Sequence, residues 1–200
     1  MINKIVLASN NKNKIEEIKS LLSNFGVEIK SLKDLNLDDP IENGKDFKEN
    51  SLIKARYAFE KTGLPTLADD SGFCIDILND FPGLFSARFA KASNGYENAF
   101  KIINQCLEET NNKDAHFTTC LSFIYNSNDK IIEKIFEGKL EGQFTYPPRG
   151  NNGFGYCPCF TPKNYTQTFS EMTDDFRSKI NHRAIALNKF IEFFKSMEQK

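Results

Sequence analysis

The 200-residue chain has no tryptophan, only two histidines and no surplus of either charge. Lys and Arg number 26 against 27 Asp and Glu, giving a net charge of −1. That balance excludes a uniformly basic nucleic-acid-binding surface, though not a local basic pocket. No apolar run reaches the roughly 18 residues of a membrane-spanning helix. The apolar start covers only Ile5–Ala8, with Lys12 and Lys14 close behind, so it reads as a buried strand rather than a signal peptide. Neither a Walker A pattern nor G-x-G-x-x-G occurs, which removes the two common nucleotide loops. The five cysteines (74, 106, 120, 157 and 159) are odd in number and irregularly spaced. They read as reduced thiols of a cytoplasmic protein. Cys157-x-Cys159 has no second close Cys pair and so is not read as a zinc framework.

What is present is enough for a core. Apolar residues make up 40% of the chain, with 19 Phe, so the bulk is not disordered. There is no repeat, low-complexity block or long linker, and residues 1–200 read as one domain. Lys4–Ser9 is a candidate strand, followed by N-cap candidates Ser9 and Asn10 and a helix marked by Ile15, Ile18, Leu22 and Phe25. A strand over 27–32, a helix from Phe47 to near Gly63 and a strand at 65–68 follow. Asp69-Asp70-Ser71-Gly72 is placed at that strand's end, before a separate strand carrying Phe73, Ile75 and Ile77. Ala99, Ile103 and Leu107 mark a helix. Alternation from Phe117 to Tyr125 marks a long strand, and Asn126–Asp129 turns into another over 131–137. The last helix is read through Ile180, Ala184, Leu187, Ile191 and Phe194. Early alternation of helices and strands, with antiparallel strands later, indicates an α/β fold with a mixed sheet and flanking helices.

Four segments could carry chemistry. Ser9, Asn10, Asn11, Lys12, Asn13 and Lys14 stand at a strand-to-helix junction, where backbone N–H groups and the helix dipole attract phosphate. The same residues would also serve as an ordinary capped helix start. Asp69 and Asp70 could hold Mg²⁺ or act as a base, or could simply form a turn with Ser71 and Gly72. In Arg149–Pro158 the glycines, Gly155 among them, permit close backbone approach, and Phe154 and Tyr156 offer faces for a flat base. A hairpin loop with two core aromatics is the competing reading. Arg177, Lys179, His182 and Arg183 are read as donors gathered at one helix start, an unfavourable place for positive charge unless an anion or carbonyl compensates. A solvated basic turn is the competing reading.

Taken in order, these segments resemble the inosine triphosphate pyrophosphatase family over nearly the whole chain. Ser9–Lys14 with Glu16 is similar to the family's N-terminal phosphate motif, and Phe47–Ala55 to its second helix, with Lys54 in place. Ala68–Gly72 is the most diagnostic stretch. Pro82–Phe89, Gly153–Tyr156 and His182-Arg183 complete the pattern. The chain departs from it at Cys157, where the family has Asp, at Arg177 in place of Lys, and at Asn181 in place of Ser.

The resemblance implies an elongated two-lobed fold with a central cleft, and a homodimer. It implies hydrolysis of inosine and xanthosine triphosphates, and their deoxy forms, to the monophosphate and diphosphate. Mg²⁺ would be held by Asp70 and Glu42, with Asp70 also activating water and Asp69 in support. Lys14 and Lys54 would neutralise phosphate. Ser71 would bond a phosphate or the sugar edge. Phe154 and Tyr156 would stack on the base, and His182 and Arg183 would donate to its carbonyl. Position 157 would bear on base discrimination, and Arg177 would keep a charge for phosphate or base contact. No nucleic acid or membrane partner is expected. The competing readings are a non-catalytic nucleotide sensor, motivated by the three departures, and a pyrophosphatase for modified pyrimidines or methylated nucleotides.

Overall fold

Strand β1 (Lys4–Ala8) sends alternate side chains to opposite faces, and both faces are covered. Ile5 and Leu7 pack with Ile18 and Leu22 of α1 (Lys12–Leu22) and with Leu187 and Phe190 of α6 (His182–Glu198). Val6 and Ala8 meet Ala55, Ala58 and Phe59 of α2 (Phe47–Thr62). A strand buried on both sides shows a continuous apolar run instead of alternation, which is why Ile5–Ala8 is unbroken. The computed structural model describes residues 2–22 and 25–198.

β1 pairs in parallel with β2 (Glu28–Ser31) on one side and β3 (Thr66–Ile75) on the other. β4 (Phe81–Pro82) runs antiparallel to β3, with Cys74 opposite Pro82. Helices α3 (Ser86–Ala92) and α4 (Tyr96–Cys106) follow. β5 (Asp114–Ser127) and β6 (Lys130–Phe144) are joined at Asn128 and Asp129, both at positive φ (48° and 60°), as a two-residue hairpin turn requires. β7 (Phe160–Pro162) lies antiparallel to β6, and α5 (Asp174–Ile180) precedes α6. The sheet order is β2-β1-β3-β5-β6-β7, with β4 beside β3. The mixed α/β class expected from the sequence holds.

The chain forms two compact units, and neither is one continuous stretch. The first comprises residues 1–70, 119–138 and 184–200, and the second 71–118 and 139–183. In the second unit Phe73, Phe117, Phe160 and Phe169 build an aromatic core, with centroid separations of 4.9–6.1 Å.

Three element boundaries differ from the sequence reading. The cap of α1 is Asn11, whose Oδ1 accepts from the N–H groups of Asn13 (3.1 Å) and Lys14 (3.3 Å). Ser9 instead accepts from Asn11 N–H at 3.1 Å, and Asn10 caps nothing. Asp69-Asp70-Ser71-Gly72 is not a turn between two strands. It lies inside the single ten-residue strand β3, and Ile77 falls in a 3₁₀ turn beyond it. Ile180 ends α5, and the chain breaks at Asn181 (ψ 162°) before α6 starts.

Candidate active site

The first unit gathers acids and lysines around the middle of β3. Because strand side chains alternate, adjacent Asp69 and Asp70 point to opposite faces. Each therefore meets a lysine from a different helix. Lys14 of α1 donates to Asp69 Oδ1, and Lys54 of α2 donates to Asp70 Oδ1 at 2.8 Å. Lys54 also reaches Glu42 Oε1 at 3.0 Å. Asp69 is fully enclosed, while the Lys54 and Asp70 side chains are 6% and 10% exposed.

α2 presents this lysine because Asn50, Lys54 and Ala58 recur at four-residue spacing on its buried face. Asp46 caps the helix by accepting from Glu49 N–H at 2.7 Å. Asn50 Oδ1 accepts from Gly44 N–H at 2.8 Å and anchors the segment carrying Glu42. Ser51 and Ser122 share a buried hydroxyl contact of 2.6 Å.

Burial works to lower the Lys54 pKa, but the combined pull of Asp70, Glu42 and Asp69 outweighs it and holds the ammonium above its usual range. Burial pushes the Asp70 carboxyl up, against the opposing pull of Lys54 and Lys14. Asp70 and Glu42 converge on one ammonium, so their oxygens already gather around a positive charge. Hard carboxylate oxygens around such a point suit a hard divalent cation. Asn10, between β1 and α1, has a buried Oδ1 with no hydrogen-bond partner among the described residues, an acceptor open to a ligand donor.

In the second unit His182 and Arg183 open α6 and are 9% and 2% exposed. His182 stacks on Phe117 at 4.9 Å and 13°. Arg183 Nη2 donates to Ser71 Oγ at 3.2 Å. The glycine-rich loop 150–155 is held by close approach. A Cβ on Gly150 would stand 2.3 Å from Ser170 O, and one on Gly153 would stand 3.0 Å from the Arg177 guanidinium carbon and 3.2 Å from Cys157 Sγ. Both glycines have φ +80°. The Arg177 guanidinium and the Cys157 sulfur thus both face Gly153, and Arg177 donates to Phe169 O at 3.1 Å and pairs with Asp174. Phe154 is 43% exposed.

Two expectations are corrected here. Tyr156 does not offer a face to a ligand. It is 3% exposed, stacks on Phe73 at 4.9 Å and 16°, meets Tyr96 and Phe100 edge to face, and donates to Ser86 O at 3.0 Å. Its alternation with Phe154 had placed both rings on one side, but a loop has no such period. Arg177 and Lys179 do not crowd the start of the last helix. They sit in the last turn of α5, where cations complement the dipole, so the supposed conflict is absent for them.

The sequence assigns no role to Asn50, Ser51 or Tyr96, although Asn50 and Ser51 lie in the Phe47–Ala55 stretch. Asn50 and Ser51 could have been noticed as polar residues on the apolar face of a helix, since buried polar groups need partners. Tyr96 carries no such signal.

The Ham1 family model matches residues 5–193. The chain belongs to the Ham1 family. It is 40% identical over 191 residues to the dITP/XTP pyrophosphatase of Zymomonas mobilis, covering 94% of this chain and 90% of that protein. It is 40% identical over 190 residues to the dITP/XTP pyrophosphatase of Haemophilus influenzae, covering 94% and 97%. A HAM1 protein from Coxiella burnetii superposes with a TM-score of 0.87 at 35% identity, over 98% of this chain and 100% of that one.

Proposed function

We propose that this protein hydrolyses non-standard purine nucleoside triphosphates, such as inosine and xanthosine triphosphates and their deoxy forms, to the monophosphate and diphosphate, and so cleanses the nucleotide pool. The observation that carries this is the meeting of buried Lys54 with Asp70 and with half-buried Glu42, beside the Lys14–Asp69 pair. It places cations for a polyanionic substrate next to carboxylates able to serve a metal and a water. The dITP/XTP pyrophosphatase relatives point to the same reaction.

Asp70 and Glu42 would hold Mg²⁺ through their carboxylate oxygens, with Asp69 in support, and the ion would neutralise phosphate charge. Asp70 accepts a proton of the attacking water as the water oxygen bonds to the α phosphorus, and the bond from that phosphorus to the bridging oxygen breaks, releasing diphosphate. Lys14, Lys54 and the Ser9–Asn13 segment hold the phosphates. Phe154 stacks on the base alone, since Tyr156 is a core residue. His182 and Arg183 donate to the six-oxo group, and Ser71 is held by Arg183 for a sugar or phosphate contact. A donor-lined pocket rejects adenine, whose six-amino group would leave donors unpaired.

Residues 1–200 act as one domain, a reading supported by the family match spanning both units. We read the protein as a homodimer, with exposed Ile77, Phe81 and Phe85 as apolar surface for a partner copy. It works in the cytoplasm, which its five unbridged cysteines favour. No described helix is long and apolar enough to cross a membrane.

The test is a panel of triphosphates in Mg²⁺ with both products quantified. Inosine monophosphate and diphosphate in equal amounts support the reading. Nucleoside diphosphate with orthophosphate, or binding without turnover, overturns it.

A further inference from the structure

Cys74, Asp76, Asp80 and His116 take no part in the proposed reaction, yet they converge within the second unit. Cys74 lies in β3, Asp76 and Asp80 in the turn that follows, and His116 in β5. The Cys74 sulfur, a ring nitrogen of His116 and a carboxylate oxygen of Asp80 all lie within 4.8 Å of one another. His116 Nδ1 stands 2.8 Å from Asp76 Oδ1, and Nε2 stands 3.9 Å from Asp80 Oδ1. A carboxylate accepting from Nδ1–H leaves the Nε2 lone pair directed at the other donors. This is how ligating histidines are oriented in metal sites.

We propose that Cys74, His116 and Asp80 bind a zinc-like divalent cation, with Asp76 positioning His116 from behind. One sulfur, one nitrogen and one oxygen form a donor set for a borderline-soft ion. Mg²⁺ requires an octahedron of oxygens and does not suit it. Bonds of about 2.0–2.3 Å in a tetrahedron place donors roughly 3.3–3.8 Å apart. The observed spread needs only a small contraction, and the Asp80 side chain, 67% exposed on a turn, can supply it by rotation. Cys74 and His116 are 1% and 7% exposed, so two ligands are fixed by the core and the third closes from solvent. The fourth position is left to water.

The negative charges of Asp80 and Asp76 bear on Cys74, against the single positive charge of Lys139. Two acids on one side against one lysine favour a cation there. A bound cation deprotonates a coordinating thiol outright, so uptake releases a proton. The consequence for the fold is a clamp joining β3, its following turn and β5. The inference is independent of the pyrophosphatase reading.

The test uses the full-length protein, stripped with chelator and titrated with Co²⁺ in excess Mg²⁺, which saturates oxygen-only sites. The expected result is one equivalent of Co²⁺ with a thiolate-to-cobalt charge-transfer band and tetrahedral ligand-field bands, displaced by Zn²⁺. Cys74→Ser should abolish the charge-transfer band, while Cys106→Ser, at the exposed cysteine, should leave it intact. Asp76→Asn should keep the band but weaken affinity about 10–100-fold. Asp80→Asn, at an exposed position that leaves folding undisturbed, should weaken affinity at least about tenfold. No thiolate band, a band that survives Cys74→Ser, or unchanged affinity in Asp80→Asn would each overturn the proposal.

Discussion

Lys54 Nζ lies 2.8 Å from Asp70 Oδ1, and the two side chains are almost sealed from water. One buried ammonium thus compensates a carboxylate from the centre of a strand and a second from the segment before α2, Glu42. Removing the ammonium strands Asp70, while Glu42, 36% exposed, keeps its access to water. Lys54→Gln should destabilise the protein by about 3–5 kcal/mol, the usual cost of breaking a buried ion pair. Urea unfolding at neutral pH measures it. A change within experimental error would mean that water already solvates this cluster.

Asp70→Asn should cut kcat by roughly 10²–10⁴, the usual worth of a general base. Its effect on stability runs with pH. The folded carboxyl is raised above 3.8 by burial, so its contribution to stability is full below that value and is lost as pH rises through the folded value. In metal-free buffer, wild type should therefore lose stability relative to Asp70→Asn as pH climbs from about 3.5 towards neutrality. Parallel urea midpoints for the two proteins across that window decide it. A difference that moves the opposite way contradicts the burial argument.

Phe154 and Tyr156 should respond in opposite ways. Phe154→Ala should raise KM for inosine triphosphate by the equivalent of about 1–3 kcal/mol of stacking, with little change in melting temperature. Tyr156→Ala should cost about 3–5 kcal/mol of stability, like other large aromatic truncations in cores. Tyr156→Phe should cost only about 0.5–1.5 kcal/mol, for the bond to Ser86 O. A KM effect in Tyr156→Phe without loss of stability would return that residue to the binding surface.

The Cys157 sulfur and the Arg177 guanidinium both face Gly153. A carboxylate at 157 would have that cation close by, while a thiol accepts only weakly. Cys157→Asp should raise the ratio of kcat/KM for inosine over guanosine triphosphate, since a charged hydrogen bond is worth about 1.5–3 kcal/mol. Steady-state kinetics of both proteins in one buffer give that ratio. No rise would show that position 157 does not read the base.

The sequence alone determined the fold class, the long elements and the family. Local rules act within a few residues, so the run at Ile5–Ala8, the helix from Phe47 and its stop at Gly63 (φ 65°) were all legible. The chemistry-bearing segments were legible for the same reason, as residue types concentrated at short spacing. Only the tertiary structure decided which partners they take. Asp69-Asp70-Ser71-Gly72 has turn composition, yet β3 is buried along nearly its whole length and is flanked by β5 in the sheet, and the strand runs straight through it. Strand alternation then sends the two acids to separate lysines, one 55 residues away in sequence and the other 16. Tyr156 reads as a ligand face in its loop and becomes a core ring because Phe73, Tyr96 and Phe100 enclose it from distant elements. Cys74, Asp80 and His116 carry no common motif, because a strand, its turn and a second strand bring them together only in the folded chain. Contacts between residues far apart in sequence depend on how sheets and helices stack, and no local spacing encodes that.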